Sequence, residues 1–360
     1  MKSKKVTSNA GGLALVMVGT VIGAGFASGA EINAYFVQYG EAGFWSMGLM
    51  GMLFFVGIYG TLKIAYECGC REYGAFTEVL AGKWLGASLD ALVTFSMLLG
   101  YGVMLAGSDA VFLQQWGVAE PIGAIVMAVS CAIVLWRGAK GIVQANQMIT
   151  PILIVGIILA SIYSIGISLS VTETIGVSLQ PLSLLTARPL TNLKEAVESA
   201  TIYVSYNMLG ASAVLVGLSK CIRTKREIIM AGAWAASILM ALTFVLGLAT
   251  FLNYDTIVNI PIPALGLLRK CEAGKYVYMM VLLGAMYTTA LSNGFGFMHR
   301  IQAIWPIKKE ILWLGMTVVA LLVSRMGFAD LVVKGYRILG YVGSAQLLLI
   351  VLRCFVKRRV

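Results

Sequence analysis

Residues Gly19 to Asn33 read "GTVIGAGFASGAEIN". They lie in the middle of the chain's first apolar stretch, yet Gly19, Gly23, Gly25 and Gly29 weaken a helix and Glu31 brings in a carboxylate. The surroundings show why that is unusual. Of 360 residues, 59% are hydrophobic and 12% charged, and the mean hydropathy is +0.87, far too apolar for a soluble globular protein. The chain reads as an integral membrane protein, for which about 20 mostly apolar residues make one crossing.

Ten such stretches follow one another, at residues 10–38, 43–66, 86–115, 119–136, 142–168, 193–218, 227–253, 275–299, 307–325 and 331–352. Little is left for a soluble domain. The net charge of +11 invites a nucleic-acid reading, but its distribution points to membrane topology instead. With the amino terminus inside, nineteen of the 27 basic residues fall at cytoplasmic ends and loops, among them Lys2, Lys4, Lys5, Arg223, Lys225, Arg226, Lys357, Arg358 and Arg359. That bias predicts both termini in the cytoplasm and a multi-pass protein of the cell membrane. Met1 to Lys5 followed by small residues also has the outline of a signal peptide, but nine further stretches depend on the first for their orientation. The six cysteines suggest neither a disulfide framework nor a zinc pattern: Cys68 and Cys70 have no histidine nearby.

The longest break between stretches, Ser170 to Thr191, falls near the midpoint, so five precede it and five follow. Residues 1–169 and 192–360 then form two five-span halves joined by an outer segment at 170–191. Because five is odd, the second half enters the membrane from the opposite side, as in inverted repeats. Such an arrangement predicts a second interruption in span six. There Ser205, Tyr206, Asn207, Gly210 and Ser212 form a polar, small-residue patch. Two shorter segments read as supporting structure: Arg71 to Trp84 as an amphipathic surface helix, and Asn259 to Gly274, with its two prolines, as a lid-like outer segment.

A plainer account of the first stretch is close packing through small residues. Two features weigh against it. Gly23, Gly25 and Gly29 are clustered and do not form a single four-residue stripe on one face, and span six carries its own candidate break. Paired broken helices point to a binding site at the membrane midplane, because backbone groups freed by unwinding must face protein, water, ions or solute.

The stretches "GTVIGAGFASGAEI", "YVSYNMLG" and "YTTALSNGFG", on a ten-span chain, resemble the YkvI-type amino acid permeases of the amino acid, polyamine and organocation superfamily. The resemblance extends over essentially the whole chain. It implies a LeuT-type fold of five plus five inverted spans with spans one and six broken, working by alternating access with spans one, two, six and seven moving against three, four, eight and nine. The resemblance also implies a sodium site between spans one and eight. Its expected donors are the carbonyls of Gly19 and Ile22, the carbonyl of Ala285, and the hydroxyls of Thr288 and Thr289 from "AMYTT". Neutral oxygens of this kind suit a hard monovalent cation. Threonines in membrane helices also bond simply to their own backbone. Span five carries no lysine of the sort that replaces the ion in some proton-coupled relatives. One departure stands out: the YkvI-type pattern often reads Ser-Gly-Gln-Glu where this chain has Ser28, Gly29, Ala30 and Glu31.

The expected solute is a small neutral amino acid or similar zwitterion. Its carboxylate would meet the freed backbone at Gly23, Ala24, Gly25 and Phe26, its ammonium the carbonyls around Ser205, Tyr206, Asn207 and Met208, Tyr101 and Tyr206 would close over it, and Phe26 would form part of its side-chain pocket. Glu31 is the rival coupling group, a carboxylate able to carry a proton, cap the break or pair with a neighbour such as Gln147. Asp109 and Asp90 read as interfacial, and His299, the single histidine, leaves no basis for a histidine-based catalytic or metal site. A channel and an amino-acid-sensing receptor on the same fold are the readings of another class; no enzyme chemistry is expected.

Overall fold

The computed structural model describes residues 10–135, 140–175 and 193–355, which are helical with short connections and contain no strand. In a bilayer this is the expected solution, because lipid offers no partner to an open backbone. Each predicted stretch contains a helix. Six of the helices are long and apolar enough to cross a membrane: α4 (Glu41–Glu67), α5 (Tyr73–Trp116), the Ile149–Ser170 part of α7 (Lys140–Ile175), α8 (Leu193–Leu218), α9 (Lys225–Leu252) and the carboxy-terminal Phe328–Cys354. Shorter apolar helices are α1 (Ala10–Val21) and α6 (Ile122–Leu135). Leu159, Ile162 and Val129 are more than half exposed, as side chains that face lipid are.

Span one is broken twice. After α1 the chain passes through Ile22 and an extended Gly23, forms one turn as α2 (Ala24–Ala27), and turns again at Ser28 and Gly29 before α3 (Ala30–Tyr35). Gly29 has φ of 77°, a left-handed conformation that costs other residues about 1–2 kcal/mol. Its α-carbon also lies against Pro263 and the Ala264 amide.

Span six is not broken, contrary to the sequence-based expectation. α8 runs without interruption from Leu193 to Leu218. Three of its polar residues bond to the helix itself or across to a neighbour: Asn207 Nδ2 donates to Tyr203 O (3.0 Å), Ser212 Oγ donates to Met208 O (2.6 Å) and Ser205 Oγ accepts from Ser344. Gly210, alone among them as a weak helix former, is no reason to unwind.

Arg71 to Trp84 is helical as expected, with a turn at Gly82 (φ 79°) separating the surface helix from the rest of α5. The Asn259–Gly274 segment contains α10 (Tyr254–Ile257) at its approach and α11 (Pro263–Leu267) within it. It is followed by α12 (Glu272–Ile304), α13 (Lys309–Ser324), α14 (Phe328–Asp330), a π-turn at Leu331–Gly335 and α15 (Tyr336–Phe355). Two groups of helices pack among themselves: α1, α4, α8 and α9 on one side, and α5, α6, α12 and α13 on the other. α15 lies along α8 and α4. Residues 176–192, most of the segment expected to join the two halves, lie outside the described residues.

Candidate functional site

The break in span one releases backbone groups in the buried core. Ile22 N–H completes the α1 ladder on Val18 O (2.8 Å), but Gly23 N–H turns to Val21 O (2.9 Å) instead of Gly19 O. The ladder resumes only where Ala27 N–H meets Gly23 O (3.0 Å). The carbonyls of Gly19 and Ile22 and the amides of Ala24, Gly25 and Phe26 therefore stand outside it. Ala24, Phe26 and Ala27 are fully buried, so these groups face the protein interior.

Partners from other helices take the carbonyls of the second turn. Tyr278 of α12 donates its hydroxyl to Ala27 O (2.6 Å), and the Ala264 amide of α11 donates to Ser28 O (2.9 Å). Ser28 Oγ donates to Gly25 O (2.8 Å) and accepts from Ala30 N–H (3.3 Å). The lid-like segment is thus fastened directly to the break. It is tied to α5 as well, where Gln114 both donates to Ile262 O (3.3 Å) and accepts from Ile262 N–H (3.2 Å).

The residues expected to hold sodium are partly gathered. α2 packs against α12, and a methyl placed on Gly23 would stand 4.0 Å from Thr289 Oγ1. Thr288 is buried and donates its hydroxyl to Ala285 O (3.1 Å), which leaves the threonine oxygen free to accept or coordinate. The α-carbon of Gly19 faces Thr150 of α7. The donor types, two released carbonyls and two hydroxyls, fit a monovalent cation. Among the described residues no group of three His, Cys, Asp or Glu side chains is placed to hold a metal.

The residues expected to hold solute fall into two sets. Gly23 to Phe26 and Tyr206 lie in the core around span one. Tyr101 does not: it is fully buried, but its hydroxyl faces Thr317 and Trp313 of α13. Ser205 is occupied with helix packing. Its hydroxyl accepts from Ser344 (3.1 Å), and Gly343 of α15 lies directly on its carbonyl. Asn207 bonds its own helix, so the carbonyls near Ser205 are not free for an ammonium. Asp109 proves to be a cap, accepting the Ala124 amide (2.8 Å) at the start of α6. Asp90 pairs with Arg300 at 2.6 Å.

Glu31 lies deeper than a coupling residue at a surface would. It is 4% exposed, its Oε1 reaches so close to Gly25 that any side chain there would collide, and its Oε2 is buried without a hydrogen-bond partner. Around it stand four tyrosines that sequence reasoning did not assemble, Tyr35, Tyr203, Tyr206 and Tyr336. Tyr206 stacks on Tyr336 with centroids 4.7 Å apart, and Tyr203 lies 5.5 Å from Tyr35 and 5.6 Å from Tyr206. The signal for three of them was present in helical spacing: Glu31 and Tyr35 are four residues apart, Tyr203 and Tyr206 three. Tyr336 came from a distant part of the chain and carried no such signal. The side chain of Gln147, the other neighbour considered for Glu31, lies outside the described residues.

Directly beside this cluster is a cavity of about 120 Å³ lined by Tyr39, Glu195, Glu198, Ser199, Ile202 and Arg337. Ser199 links the two, donating to Tyr35 O at 2.9 Å.

No family model matches the sequence. A relative from Bacillus subtilis (strain 168), the uncharacterized membrane protein YkvI, is 27% identical over 337 residues, which is 92% of each chain. The chain resembles YkvI along nearly its whole length. Among solved structures, MhsT in complex with L-phenylalanine superposes with a TM-score of 0.64 at 15% identity, covering 95% of this chain and 88% of that one. The inward-facing conformation of Mhp1 gives 0.63 at 13% identity, with coverage of 96% and 76%. The chain therefore has the LeuT-type fold, in a multi-pass membrane protein. Its departure from the expected pattern lies in α8, which is continuous.

Proposed function

We propose that this protein is a cation-coupled secondary transporter of a small neutral amino acid or similar zwitterion, with sodium as the coupling ion, rather than an enzyme or a channel. Its ten spans form two inverted halves, both termini are cytoplasmic, and α1, α4, α8 and α9 move against α5, α6, α12 and α13. The observation that carries this reading is the opened backbone at Ile22–Gly23. It removes Gly19 O and Ile22 O from the helical ladder inside the core and brings Gly23 beside Thr289. A chain that used these glycines only for packing would keep its ladder closed. MhsT, a neighbour in fold, was solved with an amino acid bound, which supports a solute of that size.

The test is uptake by proteoliposomes containing the purified full-length protein. Replacing Thr288→Ala together with Thr289→Ala is expected to lower sodium-driven uptake at least about tenfold and to remove its dependence on sodium, since each lost ligand of a cation site costs about 1.5 kcal/mol or more. Unchanged sodium dependence would reject the ion site. Flux that rises linearly with concentration at channel rates would reject the carrier.

A second reading is favoured by the unpartnered burial of Glu31: a proton-coupled carrier with Glu31 as the proton's seat. It requires Glu31→Gln to lose uptake driven by a pH gradient while solute exchange continues.

A further inference from the structure

Glu31 brings a formal charge into a place where every other surface is a ring. Tyr35, Tyr203, Tyr206 and Tyr336 surround it, with Phe36 (5.1 Å) and Phe54 (6.1 Å) packed edge-on behind Tyr203. Of these, Glu31, Tyr35 and Tyr203 are almost completely buried. Glu31 Oε2, Tyr203 Oη and Tyr206 Oη are buried without a hydrogen bond of ordinary geometry, the Tyr206 hydroxyl facing Glu31 and the Tyr203 hydroxyl facing Asn207. Buried polar groups are ordinarily satisfied, so an unsatisfied carboxylate oxygen with two unsatisfied tyrosine hydroxyls among the rings around it marks a place where a donor belongs.

The chemistry of the missing donor follows from the walls. A carboxylate calls for a cation, and aromatic faces within about 6 Å favour an organic ammonium by cation–π attraction. A primary ammonium carries three donors and no acceptor, matching three oxygens that have nothing to accept. A bare metal ion would find one carboxylate and rings where it needs a full shell of oxygens. A proton on Glu31 would supply a single donor, which can reach only one of the two tyrosine oxygens. The adjoining cavity, with Glu195 and Glu198 against the one guanidinium of Arg337, carries a net negative charge suited to drawing a cation toward Tyr35.

We infer that Glu31, Tyr203 and Tyr206, backed by Tyr35 and Tyr336, form a subsite for a primary ammonium group, so that the solute's amine is held by a carboxylate and tyrosine rings instead of by carbonyls of an opened span six. This rests on the proposed transport of a zwitterion, and it moves Glu31 from ion coupling to solute binding.

The experiment measures binding without requiring transport. Thermal unfolding of the detergent-purified full-length protein is followed with n-butylammonium chloride against sodium chloride and lithium chloride at equal ionic strength. Butylammonium is expected to raise Tm saturably. Glu31→Gln is expected to weaken its apparent affinity at least about tenfold, and Tyr206→Ala to weaken it severalfold, while Tyr206→Phe, which keeps the ring face, retains most of it. Tyr206→Ala and Tyr206→Phe keep the test decisive if Glu31→Gln does not yield folded protein. The inference is overturned if butylammonium has no effect on the unaltered protein, if Glu31→Gln binds it equally well, or if sodium alone gives a shift that Glu31→Gln removes. Butylammonium binding lost in Glu31→Gln, in a protein that shows no uptake, would retain the subsite and reject transport. Sodium-driven uptake unaffected by Glu31→Gln would do the reverse.

Discussion

Span one and α8 carry the same outward sign of a broken helix, polar and small residues inside an apolar run, and they end differently. Span one opens at Ile22–Gly23 and again at Ser28–Gly29; α8 does not open at all. The difference lies in which part of the residue is polar. In α8 the polarity is in side chains, and Asn207 and Ser212 fold back onto carbonyls of their own helix. In span one it is the backbone itself, exposed by glycine and then taken up by donors from outside, Tyr278 and Ala264. A helix in lipid opens where external groups replace its lost bonds, so glycine clusters with waiting partners are better signals than serine or asparagine alone.

The sharpest way to break this contrast is at Gly25. A β-carbon there would overlap the Glu31 carboxylate, which would have to swing away from its place among the tyrosines. Gly25→Val is expected to destabilise the protein by about 1–3 kcal/mol or more through overpacking and to abolish solute binding by displacing Glu31. Thermal unfolding in detergent measures the first effect, and the butylammonium shift the second. A stable variant with intact binding would show that Glu31 does not need its place against Gly25.

The next test pairs two glycines with opposite expected signs. Gly29 has a positive φ and touches the Ala264 backbone, so Gly29→Ala is expected to cost about 1–2 kcal/mol. Gly210 sits inside the continuous α8 with open space where a β-carbon would stand. Gly210→Ala is therefore expected to raise stability by about 0.5–1 kcal/mol. Loss of stability in Gly210→Ala would indicate that α8 opens in a conformation the protein also visits, bringing the two spans back into symmetry.

How far the sequence reached is explained by the same contrast. Apolar runs long enough to cross a bilayer are a local property, and helices lie within all the stretches predicted from them. The break in span one was legible because glycine acts through the backbone of its own segment. The continuity of α8 was not, because it depends on where Asn207 and Ser212 direct their side chains, a choice that sequence leaves open. Tyr101 was misjudged for a related reason. Residue type and span number are visible in the sequence, but the rotation that turns Tyr101 toward Thr317 is set by how α5 packs on α12 and α13. Of the tyrosine cluster, only the local spacings of Glu31 with Tyr35 and of Tyr203 with Tyr206 were legible; Tyr336 was not, since it meets Glu31 across almost the entire chain.

The smallest expected effect is the most direct check on α8. Asn207 Nδ2 shares Tyr203 O with the helical ladder, so removing the amide orphans no backbone group. Alanine also regains some helix propensity, offsetting part of the lost hydrogen bond. Asn207→Ala is thus expected to change stability by no more than about 0.5 kcal/mol, as for side chains outside any buried network. Uptake should stay within about twofold of the unaltered protein. A tenfold loss of uptake with unchanged Tm would contradict this, because it would require Asn207 to leave Tyr203 O and meet the solute. That outcome would place a transient opening in α8, and the contrast between the two spans would then belong to one conformation of the protein rather than to its mechanism.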